Sequence, residues 1–241
     1  MRATSASVAG NTVLLVGQQL EEARVRAGIL VLACSDVRLT ANVVDEVGPP
    51  AGFLGFAAGI AVLGPFAMAS ISDNSSRFST QTPAPQQGNW IALLIGSIAV
   101  TGIVGFAREV TAVPLTGGNT LVFSAGGAFL AAATAEHAGM AANSLSGGGV
   151  TPTCLVRVAG DVVAEGNQCD HAGTGDQLRA MLLTAHSITA TSNRARETRA
   201  TIVLEVDPKR FAAVGNLAAG GTFLGTAALP APWAPPDPAV P

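Results

Sequence analysis

The sequence predicts a mainly β protein, an antiparallel β-sandwich with a short Ala-rich helix and extended N- and C-terminal arms. Three observations carry that expectation. Short aliphatic runs bounded by turn formers recur along the chain. The longest run is dense in β-branched residues, with six Ile and Val from Ile91 to Val104, which suits strands better than helices. Near the C-terminus Ala200, Ile202, Leu204 and Val206 share one face while Arg199, Thr201 and Glu205 share the other, the pattern of one-sided burial in an antiparallel sheet.

Composition limits the functions available. The 241 residues are 49% hydrophobic and 12% charged, about half the charge usual for a soluble domain, with a mean hydropathy of +0.43. A net charge of -3 and the lack of a basic cluster argue against a nucleic-acid partner, because phosphate binding needs concentrated Lys and Arg. Cys34, Cys154 and Cys169 are too few for a disulfide framework. Cys154 and Cys169 flank a predicted hairpin and could pair in an oxidising compartment, with unpaired buried thiols as the simpler reading. Val13–Val16 is a poor hydrophobic core for a signal peptide, so no secretory signal is expected.

In chain order, residues 1–12 read as an arm and residues 18–26 as a helix-forming piece with Glu22 four residues ahead of Arg26. Residues 29–34 read as a buried strand and 37–44 as a half-exposed one, followed by a break at Gly48-Pro49-Pro50. Residues 51–71 and 89–107 are apolar enough to pass for membrane spans, and residues 78–107 hold no charged side chain. Gly52, Gly55, Gly59, Gly64 and Pro65 weaken a helical reading of the first run. Arg38, Arg77 and Arg108 give no positive-inside bias, and Trp90 is a lone candidate anchor. The loop between the runs contains a formal glycosylation sequon at Asn74. Residues 110–113 and 120–124 read as paired strands, and residues 129–143 as the Ala-rich helix. Residues 154–165 read as a hairpin turning at Gly160-Asp161, and residues 178–191 and 197–206 as another pair. The Pro-rich tail, 230–241, cannot be a central strand. The divisions are thus an apolar region 1–107, a β-sandwich region 108–229 and the tail.

The succession of residues 113–124, 155–163 and 200–206 resembles the jelly-roll modules of bacteriophage fibre and capsid-associated proteins. The resemblance covers about 110–206 and rests on strand rhythm and turn placement. It implies a non-catalytic, oligomeric virion part whose partners are other copies of itself and other structural proteins.

No phosphate-binding glycine motif and no Gly-x-Ser-x-Gly elbow are present. Cys169, Asp170 and His171 with Cys154 and His186 could in principle hold zinc, but the close Cys pair of a structural zinc site is missing. Glu136-His137 could be an acid–base pair, with an exposed helix face as the plainer reading. Asp36, Asp45 and Glu46 sit at predicted strand ends, where solvated turns want them. No catalytic, cofactor-binding or metal residue is assigned. The expectation is a non-catalytic structural subunit of a large assembly, a phage or virus particle. The alternative is a membrane protein with a transmembrane helical hairpin of residues 51–71 and 89–107 carrying a soluble β domain.

Overall fold

The computed structural model describes residues 4–15, 25–32, 34–47, 56–64, 66–78, 89–96, 121–125, 128–133, 135–149, 152–171, 179–196, 200–206 and 210–225. Through them the chain repeats one three-strand coil and lays each coil on the one before. The first three coils are Ser5–Ala9 (β1), Thr12–Leu14 (β2) and Val25–Leu32 (β3); Asp36–Thr40 (β4), Val43–Asp45 (β5) and Phe56–Leu63 (β6); Phe66–Ser72 (β7), Ser75–Arg77 (β8) and Asn89–Gly96 (β9). Leu121–Ala125 (β10) and Ala128–Ala133 (β11) then form a separate antiparallel pair. Coils four and five are Ala135–Ala141 (β12), Ser144–Gly149 (β13) and Cys154–Arg157 (β14); Asp161–Glu165 (β15), Gln168–His171 (β16) and Arg179–Thr184 (β17). Coils six and seven are Ser187–Thr191 (β18), Arg194–Arg196 (β19) and Thr201–Glu205 (β20); Phe211–Val214 (β21), Leu217–Ala218 (β22) and Thr222–Gly225 (β23).

Equivalent strands of successive coils pair in parallel, so three faces run along a β-solenoid. Face A runs from β1 to β21, face B from β2 to β22 and face C from β3 to β23, each in chain order. This corrects the antiparallel sandwich. Parallel neighbours need a long crossover, and here the crossover is the rest of the coil, so no helix has to supply it. The only antiparallel contact within the stack among the described residues joins the last two residues of β13 to the start of β9.

The corner between faces A and B is the same in all seven coils. One residue takes the left-handed conformation: Gly10, Ala41, Asp73, Ala142, Gly166, Ser192 or Gly215, with φ between 52° and 68°. An asparagine follows it each time. From Asn11 to Asn42, Asn74, Asn143, Asn167, Asn193 and Asn216, each donates its backbone N–H and its Nδ2 to the Oδ1 of the next, at 2.8–3.2 Å. From Asn42 onward Nδ2 also donates to a face A carbonyl of the preceding coil, such as Val8 O or Ile71 O. The five inner asparagines are buried. The cost of a left-handed non-glycine residue is met by a corner in which every buried polar group has a partner. Asn74 of the sequon is one of these rungs, closed to a glycosyl group in the folded chain.

Inside the coils the side chains stack in rows by register. On face C, Ile29, Ile60, Leu93, Cys154, Met181 and Ile202 form one row, and Val31, Val62, Ile95, Val156, Leu183 and Leu204 another. Each such aliphatic side chain contributes about 1.5–3 kcal/mol when fully buried. Face C differs from the others in its outer rows. Ala61, Leu63, Leu94, Leu155 and Leu182 point away from the interior and are buried as well. A parallel strand buried on both sides reads as an unbroken apolar run, as β6 does within 51–71 and β9 within 89–107. The described parts of both runs are the strands β6, β7 and β9, which corrects the transmembrane helical hairpin there. Among the described residues no helix is long and apolar enough to cross a membrane.

Other expectations change with the topology. The Ala-rich helix of 129–143 is replaced by the strands β11 and β12 and the turn after them. The hairpin at Gly160-Asp161 is a corner: β14 pairs with β9 and β17, and β15 with β12 and β18. The second expected pair splits likewise, β17 meeting β20 in parallel and β18 meeting β15 and β21. Residues 200, 202, 204 and 206 do face the interior. The helix-forming piece lies outside the described residues except for Val25 and Arg26, which open β3, and residues 110–113 and the tail lie outside them entirely.

Two asparagine variants measure the ladder. Asn143→Ala removes four side-chain hydrogen bonds and strands buried donors and acceptors, at a cost on the order of 3 kcal/mol or more. Asn11→Ala removes two at the exposed end and should cost about 1 kcal/mol. Urea midpoints at unchanged slope read both; equal losses would mean the ladder is not a buried network.

Candidate functional site

Three polar clusters and the two ends of the stack are the places where chemistry or recognition could reside. The first cluster lies inside coils four and five. Cys154 on β14 and Cys169 on β16 are fully buried, and both thiols are free, as is that of Cys34. Hydrogen bonding to Cys154, then burial, then the nearby charges of Cys154 and Asp170 push the Cys169 thiol well above its usual pKa. Next to it the Oγ1 of Thr153 lies 3.0 Å from Nδ1 of His171 and donates to Gly147 O at 3.1 Å. The tautomer of His171 decides which of the two groups donates across that contact.

The sequence had grouped these residues as a possible zinc set, and the structure assembles part of it. Cys154, Cys169 and His171 share one region of the interior. Asp170 points outward, 3.8 Å from Arg196, and His186 sits at the corner after β17. Among the described residues no group of three or more possible ligands converges.

The second cluster is on the outer surface of face A. Glu136 is exposed on β12, a strand and not a helix. His137 Nδ1 accepts the backbone N–H of Asp161 at 3.1 Å and lies 3.3 Å from that residue's carboxylate. Gly160 fits beneath the ring because a Cβ there would come within 2.6 Å of His137 Cε1. Both side chains are well exposed, and a surface pair of this kind adds little stability. Asp36 and Asp45 occupy strand ends, and Glu46 is a left-handed turn residue.

The third cluster escaped sequence reasoning. Arg157, Thr184 and Glu205 are register neighbours on three successive strands of face C, and Thr184 donates to Glu205 Oε2 at 2.7 Å. Burial lowers the pKa of Arg157, Glu205 partly offsets that, and Arg179 adds to it. The signal available was only the recurrence of a polar residue closing three aliphatic strands.

Of the seven exposed large hydrophobics among the described residues, Met68 and Val163 lie on the outer surface of face A and the other five in the terminal coils. In the first coil Leu14 is 56% and Leu15 66% exposed; in the last, Phe211 is 40%, Val214 67% and Leu217 60% exposed. Ala6, Val8 and Val13 at one end and Ala213 and Ala218 at the other are only partly buried against the core. Each end therefore shows the solenoid's own cross-section, with β1 and β2 or β21 and β22 as edge strands. Such edges are templates for another chain.

Searches against protein families, curated proteins and solved structures found no match.

The buried thiol has a consequence for alkaline stability. An unfolded cysteine loses its proton above about pH 8.5, while Cys169 keeps its proton in the folded chain. The folded state then binds more protons, so stability should fall as pH rises beyond that value. Urea midpoints taken at rising pH should show the decline, and Cys169→Ala should flatten it. An unchanged slope in the variant would rule this group out as the cause.

Proposed function

We propose that the chain is a non-catalytic structural subunit of a larger assembly, joined to its neighbours through the ends of the solenoid. The observation that carries this reading is the apolar exposure of both terminal coils. Repeat stacks stay soluble as separate molecules when the terminal repeats present polar outer faces. Here the last coil presents Phe211, Val214 and Leu217 instead. The outer surface of face A is mixed. Ser7, Arg38, Thr40, Ser70 and Thr189 project from it beside the exposed Met68 and Val163. The two terminal coils hold the other five of the seven exposed large hydrophobics among the described residues, and association through the ends brings those coils together.

The jelly-roll resemblance made the assembly a virion. Of the segments that carried it, 155–163 and 200–206 fall in coils four to six of the solenoid, so the wider proposal of a phage or virus particle keeps strand rhythm as its support, and the end faces support an assembly of any kind.

Sedimentation velocity of the purified chain tests the reading. Species heavier than the 24.1 kDa chain are expected, in proportions that rise with concentration. A strict monomer at every concentration would remove the basis for a self-assembling subunit.

A further inference from the structure

We infer that the partner at each end is a second copy of this chain, bound head to tail, so that the first coil of one copy continues the stack from the seventh coil of another. This rests on the assembly reading and specifies its geometry. Three features of the end coils lead to it.

The asparagine ladder has a direction. Every rung sends its backbone N–H and one Nδ2 hydrogen forward to the next Oδ1. Asn216 already donates to Ala190 O behind it at 2.8 Å, as the inner rungs do to their preceding coils. Its forward donors have no described asparagine ahead of them. At the other end Asn11 offers the Oδ1 that a preceding rung would use. Head-to-tail contact sets donors on an acceptor. Two last coils facing each other set donors on donors.

Chain sense agrees with ladder direction. β18 meets β21, and β1 meets β4, in parallel. A following copy placed on β21 and β22 through its own β1 and β2 repeats that pairing at the ordinary strand spacing of about 4.8 Å. A two-fold contact between like ends reverses one chain and misplaces the corner.

The interior rows also continue. Phe211, Ala213 and Ala218 close the rows of Ile188, Ala190 and Ala195. Ala6, Val8 and Val13 open the rows of Val37, Leu39 and Val44. Stacking lays the large Phe211 over the small Ala6 and makes one core out of two. The contact is heterologous, using different surfaces on the two copies, so it propagates unless a rotation closes it.

Blocking one end at a time decides the matter. Val214→Lys with Leu217→Lys charges the last coil, and Leu14→Lys with Leu15→Lys charges the first. All four side chains are exposed, so the interior and the ladder are untouched. In sedimentation velocity the unmodified chain should give a concentration-dependent series. Each double variant alone should be monomeric, and their mixture should give a one-to-one dimer that grows no further. A dimer formed by the first-coil variant alone would establish a contact between last coils; head-to-tail binding would fall while the assembly reading stood. A mixture that stays monomeric would overturn the inference as well. If the unmodified chain is a monomer whose β21 amides resist hydrogen exchange, another segment of the same chain covers that end, and both readings fall.

Discussion

A buried primary amide tolerates few surroundings, and the column of asparagines meets its demands at all five inner rungs. Each side chain must accept from the coil before it and donate to the coil after it while also reaching back to a face A carbonyl. Aspartate lacks the donor and serine lacks the reach, so the corner selects asparagine on chemical grounds. Once the corner is fixed, so is register. A slip of one residue would turn the interior rows of faces A and B to solvent, and it would also break every amide contact to the neighbouring coil. The ladder therefore acts on sequence position as well as on stability.

A fixed corner lets the rest of the coil vary. Successive rungs are 31, 32, 69, 24, 26 and 23 residues apart. In the first three coils the extra length lies at the corner between faces B and C, and in the longest interval it lies between β9 and β12. Close packing persists beside those insertions. At Gly59 a Cβ would come 1.8 Å from Ser76 Oγ, whose hydroxyl donates to Ala92 O across the corner at 2.9 Å.

That irregular spacing hid the repeat. Seven of the nine asparagines are rungs, each preceded by Gly, Ala, Asp or Ser, but a search for a constant period passes over intervals that range so widely. Strand content was legible because β-branched and alternating residues report local burial. The mode of pairing was not, because an antiparallel hairpin and a coil corner use the same turn formers, as at Gly160-Asp161. Within the two membrane-like runs, β6 and β9 carried a true signal, burial on both sides, that hydropathy cannot assign to lipid or to protein. Of the site residues, Cys154, Cys169 and His171 were grouped correctly in space though not as ligands. Arg157, Thr184 and Glu205 meet only through register between coils, a non-local relation that a single sequence does not display.

The energetics of a one-dimensional stack explain why the ends matter more than the flanks. An inner coil gains an interface on each side, whereas a terminal coil gains one and still bears the conformational entropy of ordering its residues. Adding coils does not reduce that deficit, since every stack keeps two ends. It is offset only by a cap, and a cap must hide the interior rows and satisfy the edge strands. Phe211 and Val214 on one strand and Leu217 on the next show that the described last coil does neither for itself. The surface best matched to that coil is the one that follows it in pairing, in row and in amide direction, and the chain's own first coil has all three properties.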